Sequence, residues 1–181
     1  MSMSELHKPE WYGECAIISD KYNDYVQIKY KCNGTGTLYD YSLFPGINLI
    51  FMDFNCSDIF HEPIPNKNII EIRHYQKGRV EFELRNNKVF HMKEGELCIN
   101  ALANVPAAYS FPFGYSVGLS CVIDKDSIDA KTKQIFSYYN IDVLNLGQEL
   151  EIEKKWFLCR TPQRLFCLLY TSDAADDRIS V

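Results

Sequence analysis

The sequence predicts a mainly β fold, a sandwich or barrel of short strands, followed by one or two C-terminal helices. Three observations predict it. Between about Tyr25 and Asp124, alternating or apolar runs of strand length recur between turn signals. Aromatic residues make up 14% of the 181 residues, with 12 Tyr and 11 Phe, and such side chains favour pleated surfaces over helical bundles. Beyond Asp124 the apolar spacing changes from alternating to helical.

The elements follow in order. Tyr25-Val-Gln-Ile-Lys-Tyr30 alternates, and Asn33-Gly-Thr-Gly36 reads as the turn after it, because glycine and asparagine accept positive φ at little cost. Asn48 to Phe54 is an apolar run of strand length. Cys56 to Asn68 reads as a loop, since Pro63 and Pro65 remove ladder donors. Ile69 to Tyr75 is a strand and Lys77-Gly78 a turn. Arg79 to Leu84 alternates strictly, with Val80, Phe82 and Leu84 on one face and Arg79, Glu81 and Glu83 on the other. Asn86-Asn87 closes a hairpin into Val89 to Met92, and Glu94-Gly95 turns into Glu96 to Asn100. Tyr115 to Asp124 gives a further apolar strand. Asp126 or Ser127 then offers an N-cap for a helix through Ile128, Ile135, Phe136 and Tyr139, and Gln148 to Phe157 reads as a second helical or mixed stretch.

Charge narrows the functional classes. The net charge is -5 and the sequence pI is near 5.4, so the chain lacks the basic excess that holds nucleic acid, and DNA binding by this segment itself is not expected. The N-terminus is polar, and no run approaches the roughly 20 apolar residues of a membrane span. Seven cysteines (Cys15, Cys32, Cys56, Cys98, Cys121, Cys159 and Cys167) are scattered and never spaced as C-x-x-C. That pattern fits reduced, mostly buried thiols in a cytoplasmic protein rather than a disulfide framework or a zinc knuckle.

Catalytic constellations are not found. There is no G-x-S-x-G elbow, Ser120 and Cys121 lie inside an apolar strand, and Asn33 to Gly36 is too short for a phosphate loop. What remains is the group Glu71, Arg73, Arg79, Glu81 and Glu83, for which alternation leaves two readings open. One is a solvated sheet face with cross-strand ion pairs. The other places some of these charges at a barrel mouth, where they orient a polar ligand between apolar walls. On the second reading the candidate ligand-binding residues are Glu71, His74, Arg79, Glu81 and Tyr109, with Tyr109, Phe111, Phe113 and Tyr115 as aromatic walls.

The run Ile70-Glu-Ile-Arg-His-Tyr-Gln-Lys-Gly-Arg-Val-Glu-Phe-Glu-Leu84 carries a family resemblance. Together with Pro45-Gly46-Ile47 and Asp53-Phe54 before it, and Gly95-Glu96-Leu97 and Ser110-Phe-Pro112 after it, it resembles the N-terminal cupin-like domain of AraC-type transcription regulators from Firmicutes. The likeness covers roughly Thr37 to Arg160. It implies a cupin-like double-stranded β-helix, or jelly roll, followed by a helical dimerisation segment and then two helix-turn-helix units. It also implies a non-enzymatic sensor: a sugar or other metabolite as effector, a homodimer when full length, and DNA contacted only through the helix-turn-helix domain. The other classes are a metal-dependent cupin enzyme, such as a sugar isomerase or dioxygenase, and a stand-alone small-molecule-binding cupin. Catalytic cupins usually carry two histidines one residue apart on a strand, which places both imidazoles on one face. Here that strand reads Glu71-Ile-Arg-His74 with a single histidine, and His61 and His91 lie elsewhere, so neither a metal nor another cofactor is expected.

The segment Cys167-Leu-Leu-Tyr-Thr-Ser-Asp-Ala-Ala-Asp-Asp177 lacks periodicity continuous with what precedes it, and it resembles the translation of a transposon-end sequencing adapter. The expected organisation is therefore a sensor barrel with an N-terminal arm over 1–124, a helical segment over 125–166 and an artefactual tail over 167–181, with the DNA-binding domain missing.

Overall fold

A computed structural model describes residues 12, 16–22, 25–60, 66–84, 89–103, 106–148, 150–152 and 155–170. The strands are β1 (Ala16–Lys21), β2 (Tyr25–Tyr30), β3 (Gly34–Phe44), β4 (Ile47–Cys56), β5 (Asp58–Phe60), β6 (Asn66–Leu84), β7 (Val89–Lys93), β8 (Glu96–Leu102), β9 (Pro106–Ser110), β10 (Ser116–Asp124) and β11 (Phe157–Arg160). Two helices, α1 (Ala130–Tyr138) and α2 (Gln163–Tyr170), follow the main strands. Among the described residues all strand pairings are antiparallel.

The topology is a jelly roll. One layer runs β1-β2-β3-β4-β10-β6-β8-β11, and the facing layer runs β5-β9-β6-β7. The long strand β6 belongs to both layers: residues up to Gly78 pair with β10, and Arg79 to Glu83 pair with β7. Strands β1 to β4 follow one another in the first layer, and from β5 onward the chain passes back and forth between the layers, a double-sheet arrangement that limits exposed edges. The mainly β barrel with C-terminal helices is the fold the chain adopts.

Interior side chains follow the pleat. In β4, Ile50, Met52, Phe54 and Cys56 are buried, whereas Phe51 and Asn55 point outward. In β2, Val26, Ile28 and Tyr30 turn inward. These join Tyr75, Val80, Phe82, Met92, Tyr109 and Phe111 in one core between the layers. A second core lies on the outer side of the first layer. There Ile70, Ile72, Ile99, Ala101 and Ile123 meet Ile128, Phe136, Val143, Leu146 and Ile152. The segment after Asp124 is thereby docked on the barrel.

Several expectations need correcting. Lys77-Gly78 is not a turn. Strand β6 runs through it with a bulge: Tyr75 pairs with Gly118 and Lys77 with Val117, leaving Gln76 as the extra residue. Sequence signals for a turn and for a bulge coincide here, because both use a glycine at positive φ, and Gly78 has φ +88°. Gly34 and Gly36 lie within β3, and the expected loop from Cys56 contains β5 and the start of β6. The N-cap of α1 is Asp129, whose carboxylate accepts from Thr132 N at 2.7 Å. Asp124 caps the short 3-10 turn ahead of it. The segment 125–166 is not wholly helical, since Phe157–Arg160 adds to the sheet beside β8. Helix α2 runs past Phe166 to Tyr170, with Leu165 and Leu169 half-buried at i,i+4 spacing. The Asn86-Asn87 hairpin tip and Pro63 to Pro65 lie outside the described residues.

The bulge depends on close backbone approach. A Cβ at Gly118 would lie 2.4 Å from His74 O, and one at Gly78 would lie 2.5 Å from Tyr115 O. Gly118→Ala is therefore expected to cost about 1–3 kcal/mol, the usual penalty for overpacking, measured by urea unfolding. Gly95→Ala is the control, since nothing lies within 4 Å of its added Cβ and only its positive φ is at stake. A Gly118 variant no less stable than the Gly95 variant would contradict this reading.

Candidate ligand-binding site

Alternation places Glu71, Arg73 and Tyr75 on the inner face of β6, and the structure puts all three in the wall of a cavity between the layers. Its volume is about 60 Å³, room for roughly two waters at about 30 Å³ each. Phe54, Phe111 and Met52 supply apolar walls, Tyr109 and Ser120 reach in from β9 and β10, and Tyr12 packs across one side.

The polar centre is an ion pair. Arg73 donates from Nε to Glu71 Oε1 at 3.1 Å, and from Nη2 to both carboxylate oxygens at 2.7 Å. Both residues are buried, at 7% and 6% exposure. Ser120, directly opposite Arg73 in the β10–β6 register, donates its hydroxyl to Glu71 Oε1. Arg73 Nη2 also donates to Tyr109 OH at 3.4 Å. The guanidinium carbon sits 5.2 Å from the Phe82 ring centroid and 5.3 Å from that of Tyr109, within cation–π range.

Electrostatics fix the protonation states. Burial works against charge on Arg73, but the Glu71 carboxylate beside it outweighs that and holds the guanidinium pKa well above its ordinary value. Burial pushes the Tyr75 and Tyr109 phenols above their ordinary range, opposed in part by the Arg73 charge. Both keep their protons at neutral pH and remain able to donate and accept. The pair is neutral as a unit, so the cavity offers directional hydrogen bonds without net charge. Nearby, buried Asp40 accepts from Asn48 Nδ2 at 2.8 Å and from the Tyr12 hydroxyl, while Tyr30 OH donates to Tyr12 O at 2.9 Å.

The predicted site residues part company here. Glu71 and Tyr109 line the cavity. His74 does not: it is fully buried on the opposite face of β6, beside Gly118. Arg79 and Glu81 also lie outside, paired with each other at 2.9 Å with side chains 38% and 32% exposed. The bulge explains the split. The extra residue at Gln76 reverses the inward parity, so odd positions, Glu71, Arg73 and Tyr75, face the interior before it and even ones, Val80 and Phe82, after it. Sequence analysis left open which of the five charges face inward and, by placing a turn at Gly78, had no phase relating Arg79 and Glu81 to Glu71. It left Arg73, Tyr75 and Ser120 out of the site, and the available signal was a glycine inside a strand pattern. Of the aromatics, Phe111 lines the cavity, while Phe113 and Tyr115 are exposed. His91 is exposed on β7, and His61 lies outside the described residues. Among the described residues, no group of three or more His, Cys, Asp or Glu is placed to hold a metal.

No family model and no curated protein matches the sequence. Solved structures match weakly. An HTH_3 family transcriptional regulator from Vibrio cholerae aligns at 15% identity and TM-score 0.35, over 48% of this chain and 50% of that one. The cupin_2 domain of an XRE family transcriptional regulator from Enterobacter cloacae aligns at 15% identity and TM-score 0.37, over 48% and 94%. A mutant of Bacillus subtilis oxalate decarboxylase aligns at 13% identity and TM-score 0.40, over 83% of this chain and 43% of that one. This chain thus spans half or less of two of these proteins.

Two outcomes test the site. Glu71→Ala strands a guanidinium in an aromatic wall and is expected to cost about 3–5 kcal/mol in urea unfolding, whereas Glu71→Leu combined with Arg73→Met is expected to cost less than that single change. Additive losses would show that the two charges do not act as a pair. The second concerns pH. Burial lowers the His74 pKa from its ordinary 6.5, so the unfolded chain takes up a proton that the folded one refuses. Stability is then present above about pH 6.5 and lost as pH falls below it, and His74→Leu is expected to flatten that slope between about pH 7.5 and pH 5.5. Equal slopes in the two proteins would exclude His74 as the source.

Proposed function

We propose that this chain is the ligand-sensing barrel of an AraC-type transcription regulator, a non-enzymatic domain that binds a small neutral polar molecule, a sugar or comparable metabolite, in the Glu71–Arg73 cavity. The observation that carries the reading is the buried ion pair. Two apolar residues of similar volume would hold this fold as well or better, so a charged pair walled by aromatic rings is better accounted for by recognition than by stability. A neutral ligand fits because Glu71 already compensates Arg73; an anion would have to displace that carboxylate.

A second feature supports a sensor over a passive carrier. Strand β6 presents Glu71 and Arg73 to the cavity and, on its other face, Ile70 and Ile72 to the segment after Asp124. On the proposed reading that segment leads to a helix-turn-helix domain, pairs in a full-length homodimer, and is followed after Phe166 by adapter-derived residues. The effector acts by binding two arrangements of the segment unequally. DNA is contacted only by the missing domain, in the cytoplasm.

The test has two arms. Small neutral polyols and metabolites are screened by thermal shift against the chain and its Arg73→Met variant, and a hit is expected to raise Tm of the former only. A hit that stabilises both equally places the site elsewhere. The coding sequence beyond Phe166, read from an independent genome assembly, is expected to encode two helix-turn-helix units, and a stop codon there would overturn the regulator reading.

A further inference from the structure

Cys32 and Cys56 are far apart in sequence and adjacent in space. Cys32 sits in the bend between β2 and β3, and β3 begins at Gly34, which pairs directly with Cys56 at the end of β4. Two glycines press these strands together. A Cβ at Gly34 would lie 2.1 Å from Asn55 O and 3.1 Å from Cys56 Cβ, and one at Gly36 would lie 2.8 Å from the Phe54 ring. The Cys32 side chain packs against the core that contains Cys56, and the two thiols lie close enough that Cys32 helps to raise the Cys56 pKa. Both are free thiols. They differ in access, Cys32 being half-exposed and Cys56 buried at 4%.

We propose that Cys32 and Cys56 form a reversible disulfide on reaction with a peroxide, tying the tip of the β2–β3 hairpin to the end of β4 at the cavity wall. The Cys32 sulfur attacks one peroxide oxygen and becomes a sulfenic acid, while the O–O bond breaks and the other oxygen leaves as water, carrying the thiol proton. The Cys56 sulfur then attacks the Cys32 sulfur, and the sulfenic hydroxyl leaves as a second water with the Cys56 proton. Two thiols lose two electrons and hydrogen peroxide gains them.

The order of attack follows from burial. Loss of solvent pushes the Cys56 thiol up to about 12, reinforced by the neighbouring Cys32, so it stays protonated until a sulfenic acid forms beside it. The link would fall next to Phe54 and Ile59, which line the cavity, and Phe54 stacks on Phe111 at 5.1 Å. Closing the stretch between the two cysteines restricts the opening of this wall.

The experiment treats the full chain with hydrogen peroxide, alkylates the remaining thiols and maps the peptides by mass spectrometry. A Cys32–Cys56 linked peptide is expected, with an intact mass lower by about 2 Da that a dithiol reductant restores. In Cys56→Ser, the Cys32 sulfenic acid is expected to persist and to be trapped by a cyclic diketone. In the oxidised wild-type chain, amide exchange over residues 54–59 is expected to slow about tenfold. Unchanged alkylation of both thiols after peroxide overturns the proposal, as does a dominant link through another cysteine, Cys15 included. A correct link with unchanged exchange overturns its effect on the cavity wall. The wild-type arms decide even where a serine variant fails to fold.

Discussion

Strand β6 is shared by both layers of the jelly roll, and the rest of the barrel is arranged around the single extra residue where it crosses between them. Up to Gly78 the strand pairs with β10 and, over its first part, with β8; from Arg79 onward it pairs with β7 and β9. A strand that kept a regular pleat through this corner would present either its charges or its apolar residues to the interior along its whole length. One unpaired residue reverses the parity, so the interior receives Glu71, Arg73 and Tyr75 from the first part and Val80 and Phe82 from the second. The neighbouring strand must then approach closely, which is why glycines stand at 78 and 118, where a side chain would meet backbone carbonyls.

The parity switch puts two opposite charges inside a core that is otherwise aromatic and aliphatic. Removing both ions from water is costly, and attraction alone does not reliably recover that cost. Here the compensation is built from several sides. Glu71 receives three hydrogen bonds from Arg73 and one from Ser120, and the guanidinium lies within reach of the faces of Phe82 and Tyr109. The same rings that provide apolar bulk therefore also shield the charge. This arrangement is rigid in a way an aliphatic core is not, because each polar group constrains the orientation of the next.

How much of this the sequence discloses differs by level. The β architecture was legible, since alternation in β2, the apolar run of β4 and the turn at Glu94-Gly95 are local information. The identity of Glu71 and Tyr109 as cavity residues was also within reach. The face assignment of Arg79 and Glu81 was not, because their parity depends on pairing with β10, some forty residues downstream (Ser116 with Gly78, Gly118 with Tyr75). Alternation in Arg79 to Leu84 correctly separates Val80 and Phe82 from the charges; what it lacks is the phase relative to Glu71. The strand Phe157–Arg160 was hidden for a similar reason. Its four residues carry little periodicity of their own, and they become a strand through β8, whose Leu97 and Cys98 they pair with.

The two faces of β6 bear on how a bound molecule would be felt beyond the cavity. Glu71 and Arg73 alternate with Ile70 and Ile72 along one extended backbone, about 3.3 Å per residue, so a displacement of one set is shared by the other. Ile70 is fully buried against the segment after Asp124, in contact with a cluster that includes Ile128, Val143 and Ile152. Close-packed interfaces of this kind respond by shifting between discrete arrangements rather than deforming smoothly. The cavity is also small, so a ligand larger than a few heavy atoms has to move Tyr12 or the aromatic walls to enter. Any such movement is a difference in interaction between two states, and only such a difference can shift an equilibrium: a tenfold preference for one arrangement corresponds to about 1.4 kcal/mol. A single hydrogen bond to the Arg73–Glu71 pair, present in one arrangement and absent in the other, is of that size.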